Sequence, residues 1–169
     1  MSRLDTVIAR LNAQRSCLNA AVAMLGDLPG DILELGLGNG RTYDHLRGLF
    51  PNRNIYVFDR EVASHPSCRP PENRLFLDAM AETLVKATAQ LGATAALIHA
   101  DIGFGDADAT ERNVAAIAPL LPGLLCAGGV VFCDQNLDRI KAFSPIEMPS
   151  DIPADRYFGY IQQTAILGI

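Results

Sequence analysis

At 169 residues the chain is long enough to bury one proper core and short for two domains. Hydrophobic residues make up 49% and charged residues 20%, which excludes disorder as its general state. A net charge of −5, a pI near 5.1 and the lack of any basic run speak against a nucleic-acid partner.

The segment Met1–Arg15 is charged and carries no signal-peptide pattern, so a cytoplasmic setting is expected. Within Leu4–Leu25, apolar Leu4, Val7, Ile8, Leu11, Leu18, Ala21, Val22 and Leu25 recur at helical spacing. Gly26 and Pro29-Gly30 stop that helix. A leading helix of this kind covers one flank of a sheet, helps form an acceptor pocket, or makes a subunit contact in a homo-oligomer.

Next comes Asp31–Thr42, on which the rest of the chain depends. Ile32, Leu33 and Leu35 form a short apolar run that suits a buried strand, Ile32–Leu35. Gly36, Gly38 and Gly40 follow at alternate positions, and a helical pattern begins near Arg41 and runs to Leu49. A strand, a glycine turn and a helix aim backbone N–H groups at a ligand above the strand's C-terminal end. The spacing is Gly-x-Gly-x-Gly, one residue tighter than the dinucleotide fingerprint. Glu34, two residues before the first glycine, favours a cationic ligand part over a pyrophosphate.

After Pro51-Asn52, Ile55–Phe58 reads as a second strand ending in Asp59-Arg60. Asp59 lies 23 residues beyond Gly36, the spacing at which a carboxylate meets ribose hydroxyls. Val62–Pro71 reads as a loop and Arg74–Leu77 as a third strand. Asp78-Ala79 then opens a helix, Met80–Leu91, where the aspartate also suits an N-cap. Thr94–Ala100 is a fourth strand closed by Asp101, followed by a glycine-hinged acidic loop from Ile102 to Asp108. A helix is expected over Asp108–Leu121 and a fifth strand over Val130–Cys133, preceded by Gly128-Gly129 and ending in Asp134-Gln135-Asn136. Alternating strands and helices imply right-handed crossovers and a parallel sheet covered on both faces. Phe143–Asp155 holds three prolines and reads as a loop or flap, while Tyr157–Ile161 and Thr164–Leu167 read as strands.

The series Glu34 to Gly40, Asp59, Asp78-Ala79, Asp101 and Gly128-Gly129 through Asp134 resembles the class I S-adenosylmethionine-dependent methyltransferases. The second half is similar to the catechol- and caffeoyl-CoA-type O-methyltransferases. The resemblance implies an α/β, Rossmann-like, doubly wound and mostly parallel sheet, closed by a short antiparallel C-terminal strand or hairpin. It implies one domain over 1–169: a leading helix (1–30), a cofactor-binding core (31–136), a loop or flap (137–156) and terminal strands (157–169).

It also implies S-adenosyl-L-methionine as cofactor and a small-molecule methyl acceptor, with no nucleic acid or membrane partner. The cofactor would meet Glu34, Gly36, Leu37, Gly38, Asn39, Gly40, Thr42, Asp59, Arg60, Asp78, Ala79 and Asp101. His99, Asp101 and Asp134 are the candidate bases, His99 first because imidazole titrates near neutrality. The O-methyltransferases hold a metal with Asp-Ala-Asp at the fourth strand and Asp-Asn at the fifth. Here His99-Ala100-Asp101 and Asp134-Gln135 stand there, and imidazole is a poor magnesium ligand, so no metal is expected. A nicotinamide-binding oxidoreductase and a non-catalytic binding module are the competing readings. Cys17, Cys68, Cys126 and Cys133 match no zinc or redox spacing and read as free thiols.

Overall fold

The computed structural model describes residues 2–163. Its elements in chain order are α1 (Arg3–Leu25), β1 (Asp31–Leu35), α2 (Arg41–Leu49), β2 (Ile55–Asp59), β3 (Leu75–Leu77) and α3 (Met80–Leu91). Then come β4 (Ala95–Ala100), α4 (Ala107–Ile117), β5 (Leu125–Cys133), β6 (Phe143–Pro145) and β7 (Phe158–Gln162).

The strands form one sheet in the order β3-β2-β1-β4-β5-β7-β6. From β3 to β5 every pair is parallel; β7 runs antiparallel to β5, and β6 antiparallel to β7. The chain winds outward from β1 to β3, then returns to place β4 on the other side of β1. That reversal opens a crevice above the C-terminal ends of β1 and β4, where open α/β sheets bind ligands. Alternation along the strands separates two cores. Leu33, Leu35, Ile98 and Ala100 pack against α3 and α4, while Ile32 and Leu97 pack against α1 and α2. The Rossmann-like expectation is met.

Helix α1 begins on a reciprocal cap: the Asp5 amide donates to Ser2 Oγ, and the Ser2 amide donates to the Asp5 carboxylate. Its buried stripe is Ala13, Gln14, Cys17, Leu18, Ala21 and Leu25. Burying Leu18 and Leu25 is worth about 1.5–3 kcal/mol each. The first turns face outward instead, leaving Leu4, Val7 and Ile8 exposed.

Three expectations are corrected. The helix expected over Asp108–Leu121 stops at Ile117 and continues as 3-10 turns over Ala118–Gly123, because Pro119 and Pro122 cannot donate to an α ladder. The fifth strand starts earlier, at Leu125, so Gly128 and Gly129 lie inside it beside a register shift between β4 and β5. The flap contains a strand: Phe143–Pro145 pairs with β7, and its proline is tolerated because β6 is the last strand of the sheet among the described residues. The strand expected at Thr164–Leu167 lies outside the described residues.

Candidate cofactor and active site

The glycine turn after β1 is built by backbone geometry. Gly36 has φ +94°, and a Cβ there would sit 2.7 Å from the Asp101 carbonyl oxygen. Gly40 has φ +81° and packs against Ser64 and Cys68 while capping α2. Between them, the Leu37 and Gly38 amides donate to Asp59 Oδ2 at 2.7 and 3.2 Å. The Arg60 amide donates to Asp59 Oδ1 at 2.7 Å. The tip of β2 is thereby tied to the turn after β1.

Above this turn lies a hollow of about 350 Å³. Gly36, Leu37, Gly38, Asn39 and Thr42 form its floor, and Asp59 and Arg60 one side. Met80 at the start of α3 and Asp101 through Phe104 after β4 form the other side. Helix α1 closes it with Arg10, Leu11 and Gln14. Gln14 Nε2 donates to Asp101 Oδ2 at 2.9 Å, and Arg10 Nη1 lies 3.6 Å from the same oxygen. Asn113 of α4 holds the opposite rim by donating to the Ile102 carbonyl at 2.9 Å.

Of the expected site residues, Gly36, Leu37, Gly38, Asn39, Thr42, Asp59, Arg60 and Asp101 converge here. Gly40 shapes the turn from behind. Asp78 and Ala79 do not line the hollow. Asp78 is exposed and accepts from the Ala79 amide at 2.8 Å; that bond, with Lys86 at 3.5 Å, lowers its pKa. Glu34 and His99 are fully buried and hydrogen-bonded to each other at 2.7 Å. His99 Nε2 meets the Tyr157 hydroxyl at 2.7 Å, so both ring nitrogens are engaged within the protein. The imidazole expected to serve as base therefore has no face on the hollow.

Asp134 accepts from the Ile102 and Gly103 amides at 2.9 and 3.0 Å and from Gln135 Nε2 at 2.9 Å. Burial raises its pKa, partly opposed by the Gln135 and Ile102 hydrogen bonds. The donor set does not fit the metal centre of the O-methyltransferases. His99 is spent on Glu34 and Tyr157, and Asp134 on amide donors. Among the described residues no group of three His, Cys, Asp or Glu side chains converges as a ligand set.

Sequence reasoning missed Arg10, Leu11, Gln14, Arg41, Met80, Phe104 and Asn113, all of which line the hollow. The available signal was Gln14, a polar residue set within the apolar stripe of α1 one turn after Arg10.

A second hollow, of about 930 Å³, opens between α4 and the segment after β5. Val114, Ala118, Leu137 and Ile140 supply apolar wall, with Gln135 and Arg139 at its polar side. Phe104 lines both hollows.

A family model described as S-adenosyl-L-methionine methyltransferase matches residues 1–162. The chain belongs to this family. The match sets aside the nicotinamide reading. Among solved structures, the S-adenosyl-L-methionine methyl transferase from Silicibacter pomeroyi DSS-3 is 41% identical, with a TM-score of 0.90. The alignment covers 96% of this chain and 99% of that one. Human methyltransferase-like protein 13, solved with S-adenosylhomocysteine, shares the fold at 12% identity and a TM-score of 0.57, covering 93% and 85% of the two chains. The antibiotic-resistance methyltransferase Kmr shares it at 14% identity and a TM-score of 0.53, covering 89% and 93%. No curated protein sequence matches. S-adenosyl-L-methionine is the cofactor of this methyltransferase family, and the glycine-floored hollow, with the Asp59 and Asp101 carboxylates on its sides, is compatible with it. No helix among the described residues is long and apolar enough to cross a membrane.

Proposed function

We infer that this methyltransferase acts on a small molecule seated in the second hollow, with Phe104 standing between acceptor and cofactor. The observation that carries this is the shared wall. A glycine-floored hollow and a larger, partly apolar one meet at one side chain beside the C-terminal ends of β4 and β5. Their sizes fall in the range of small-molecule sites.

When bound, the cofactor supplies a methyl group already activated on a sulfonium. The protein's task is to orient two ligands and keep water away. Asp59 retains lone pairs beyond its amide bonds and is assigned to the ribose hydroxyls. Asp101 is assigned to the ammonium of the cofactor's amino-acid end and Arg10 to its carboxylate, an arrangement supported by the 3.6 Å between them where α1 closes the hollow. Asp78 and Ala79 are left as the frame of the α3 start, with Met80 offering the apolar contact to the adenine. For a hydroxyl acceptor, Asp134 is the assigned base, working through a bridging water to the lone pair that its amide bonds leave on Oδ1. It lies against Gly103 of the first hollow and Gln135 of the second, and its raised pKa suits the task.

The four free cysteines accord with a reducing, cytoplasmic setting. The exposed Leu4 and Ile8 accord with a homo-oligomer.

The test combines calorimetry with S-adenosylmethionine, S-adenosylhomocysteine and NAD, and transfer of labelled methyl to a panel of phenols, carboxylic acids and amines. Micromolar binding of the adenosyl-sulfur ligands alone is expected, with turnover of one acceptor class. An Ala115→Trp variant, which places an indole in the second hollow, should bind cofactor normally and lose turnover. Undiminished turnover in that variant would move the acceptor site elsewhere.

A further inference from the structure

A carboxylate, an imidazole and a phenol lie buried in a row beneath the cofactor hollow, and methyl transfer itself gives them nothing to do. Glu34 of β1 and His99 of β4 are register partners in the sheet, and both are inaccessible to solvent. Glu34 Oε2 meets His99 Nδ1 at 2.7 Å, and His99 Nε2 meets the Tyr157 hydroxyl at 2.7 Å. The imidazole and phenol rings stack with centroids 5.8 Å apart. The other Glu34 oxygen, Oε1, accepts from the hydroxyl of Thr42, in the first turn of α2. Thr42 lines the hollow. The row therefore runs unbroken from the residue before β7 to the cofactor wall.

A buried polar row of this kind gives little net stability over an apolar replacement, because desolvation offsets the attraction. What it does give is direction. The Thr42 hydroxyl donates its single proton to Glu34 Oε1. With its one proton given to Glu34, the Thr42 hydroxyl has only acceptor capacity left for the hollow it lines. An acceptor suits the ammonium end of an amino acid.

The far end of the row sits in the tail. Arg156, next to Tyr157, donates to the Thr6 carbonyl of α1 at 2.6 Å, and Ser16 of α1 donates to Asp151 at 2.6 Å. The segment that delivers Tyr157 thus also fastens α1, whose Arg10 and Gln14 close the hollow.

We propose that Glu34, His99 and Tyr157 are positioning residues that hold Thr42 as a hydrogen-bond acceptor for the cofactor's amino-acid end, so that the tail sets cofactor affinity through them. The proposal rests on the cofactor reading of the first hollow. Burial alone would depress the His99 pKa; the Glu34 charge and hydrogen bond reverse this, with smaller contributions from Asp101 and Asp134, and the imidazole titrates above its ordinary value. The other ionisable groups around the row are Cys133 of β5 and, on the α1 side, Arg10 against Asp101.

The experiment is a double-mutant cycle read by S-adenosylhomocysteine affinity. His99→Gln and Tyr157→Phe are each measured alone and in a Thr42→Val background, with melting curves for every variant. Each single change should weaken binding about tenfold, the scale of a displaced hydrogen bond to a charged group. In the Thr42→Val background the same changes should cost less than about twofold, while Thr42→Ser keeps wild-type affinity. Losses that multiply in the cycle, or variants that melt earlier yet bind as tightly as wild type, overturn the proposal. Should His99→Gln fail to fold, the wild-type His99 Nδ1–H resonance decides: it must move when S-adenosylhomocysteine is added, and an unmoved signal overturns the proposal. A wild-type protein that binds no S-adenosylhomocysteine overturns the cofactor reading and the proposal together.

Discussion

The Asp59 carboxylate accepts a 2.7 Å hydrogen bond from the Leu37 amide, so the tip of β2 braces the glycine turn of β1. A residue expected to meet a ribose is therefore also a strut that holds the amides of the turn in place. Removing it should loosen both functions at once.

Asp59→Ala is expected to weaken S-adenosylmethionine binding by at least ~1 kcal/mol, the scale of a hydrogen bond to a charged group. Asp59→Asn should fall between, because its one amide oxygen can still accept from Leu37. Calorimetry on the two variants checks the order, and equal affinity in wild type and Asp59→Ala would remove Asp59 from the site.

Gly36→Ala should be the most damaging single change in the turn. The backbone there has φ +94°, and the new methyl would meet a backbone oxygen at 2.7 Å, which no rotamer relieves. A cost of about 1–3 kcal/mol in folding stability is expected from the strained conformation, together with loss of measurable cofactor binding. Gly38→Ala is the control. It has φ +47° and open space around it, so the cost should be smaller. Urea unfolding and calorimetry of the pair separate clash from conformation.

The legible part of this protein was local. The apolar runs at Ile32–Leu35 and Ile55–Phe58, the glycine spacing and the carboxylates at strand ends all follow from short stretches of chain. The illegible part depended on contacts between distant segments. Nothing near Arg10 says that α1 crosses the hollow to reach Asp101, a contact 91 positions away, nor that Gln14 is buried against that carboxylate. His99 read as a base because imidazole chemistry is visible in one letter, whereas its enclosure by Glu34 and Tyr157 belongs to the folded sheet. The strand Phe143–Pro145 was hidden by its proline, which is compatible with an edge and not with an interior strand.

The Glu34–His99 pair should appear in the pH dependence of stability. The imidazole pKa is raised in the fold from an ordinary 6.5. Its stabilisation is then complete below that value and is lost as pH rises through the folded-state pKa. Stability should therefore fall as pH climbs above about 6.5. The window for seeing it closes near pH 9, where unfolded thiols ionise while Cys17, pushed up to about 12 by burial, does not, which lowers stability by a separate route. Urea unfolding at half-unit steps between these limits should slope downward for wild type and lie flatter for His99→Gln. Parallel profiles would assign the slope to other groups.

Arg10 offers the sharpest separation of folding from binding. Its guanidinium lies 3.6 Å from Asp101 and its side chain is 46% exposed, so the ion pair is a surface one worth about 0–1 kcal/mol to folding. Facing a cofactor carboxylate inside a partly enclosed hollow, the same charge should matter more, because a charge-assisted contact is about twice as strong as a neutral one. Arg10→Ala is expected to leave the urea midpoint nearly unchanged while weakening S-adenosylmethionine binding about tenfold. Arg10→Lys should recover part of that loss but not all, since an ammonium cannot form the paired contact of a guanidinium. Raising salt should narrow the gap between wild type and Arg10→Ala through screening. If Arg10→Ala instead shifts the midpoint and spares affinity, α1 would be a structural cover with no hand in recognition.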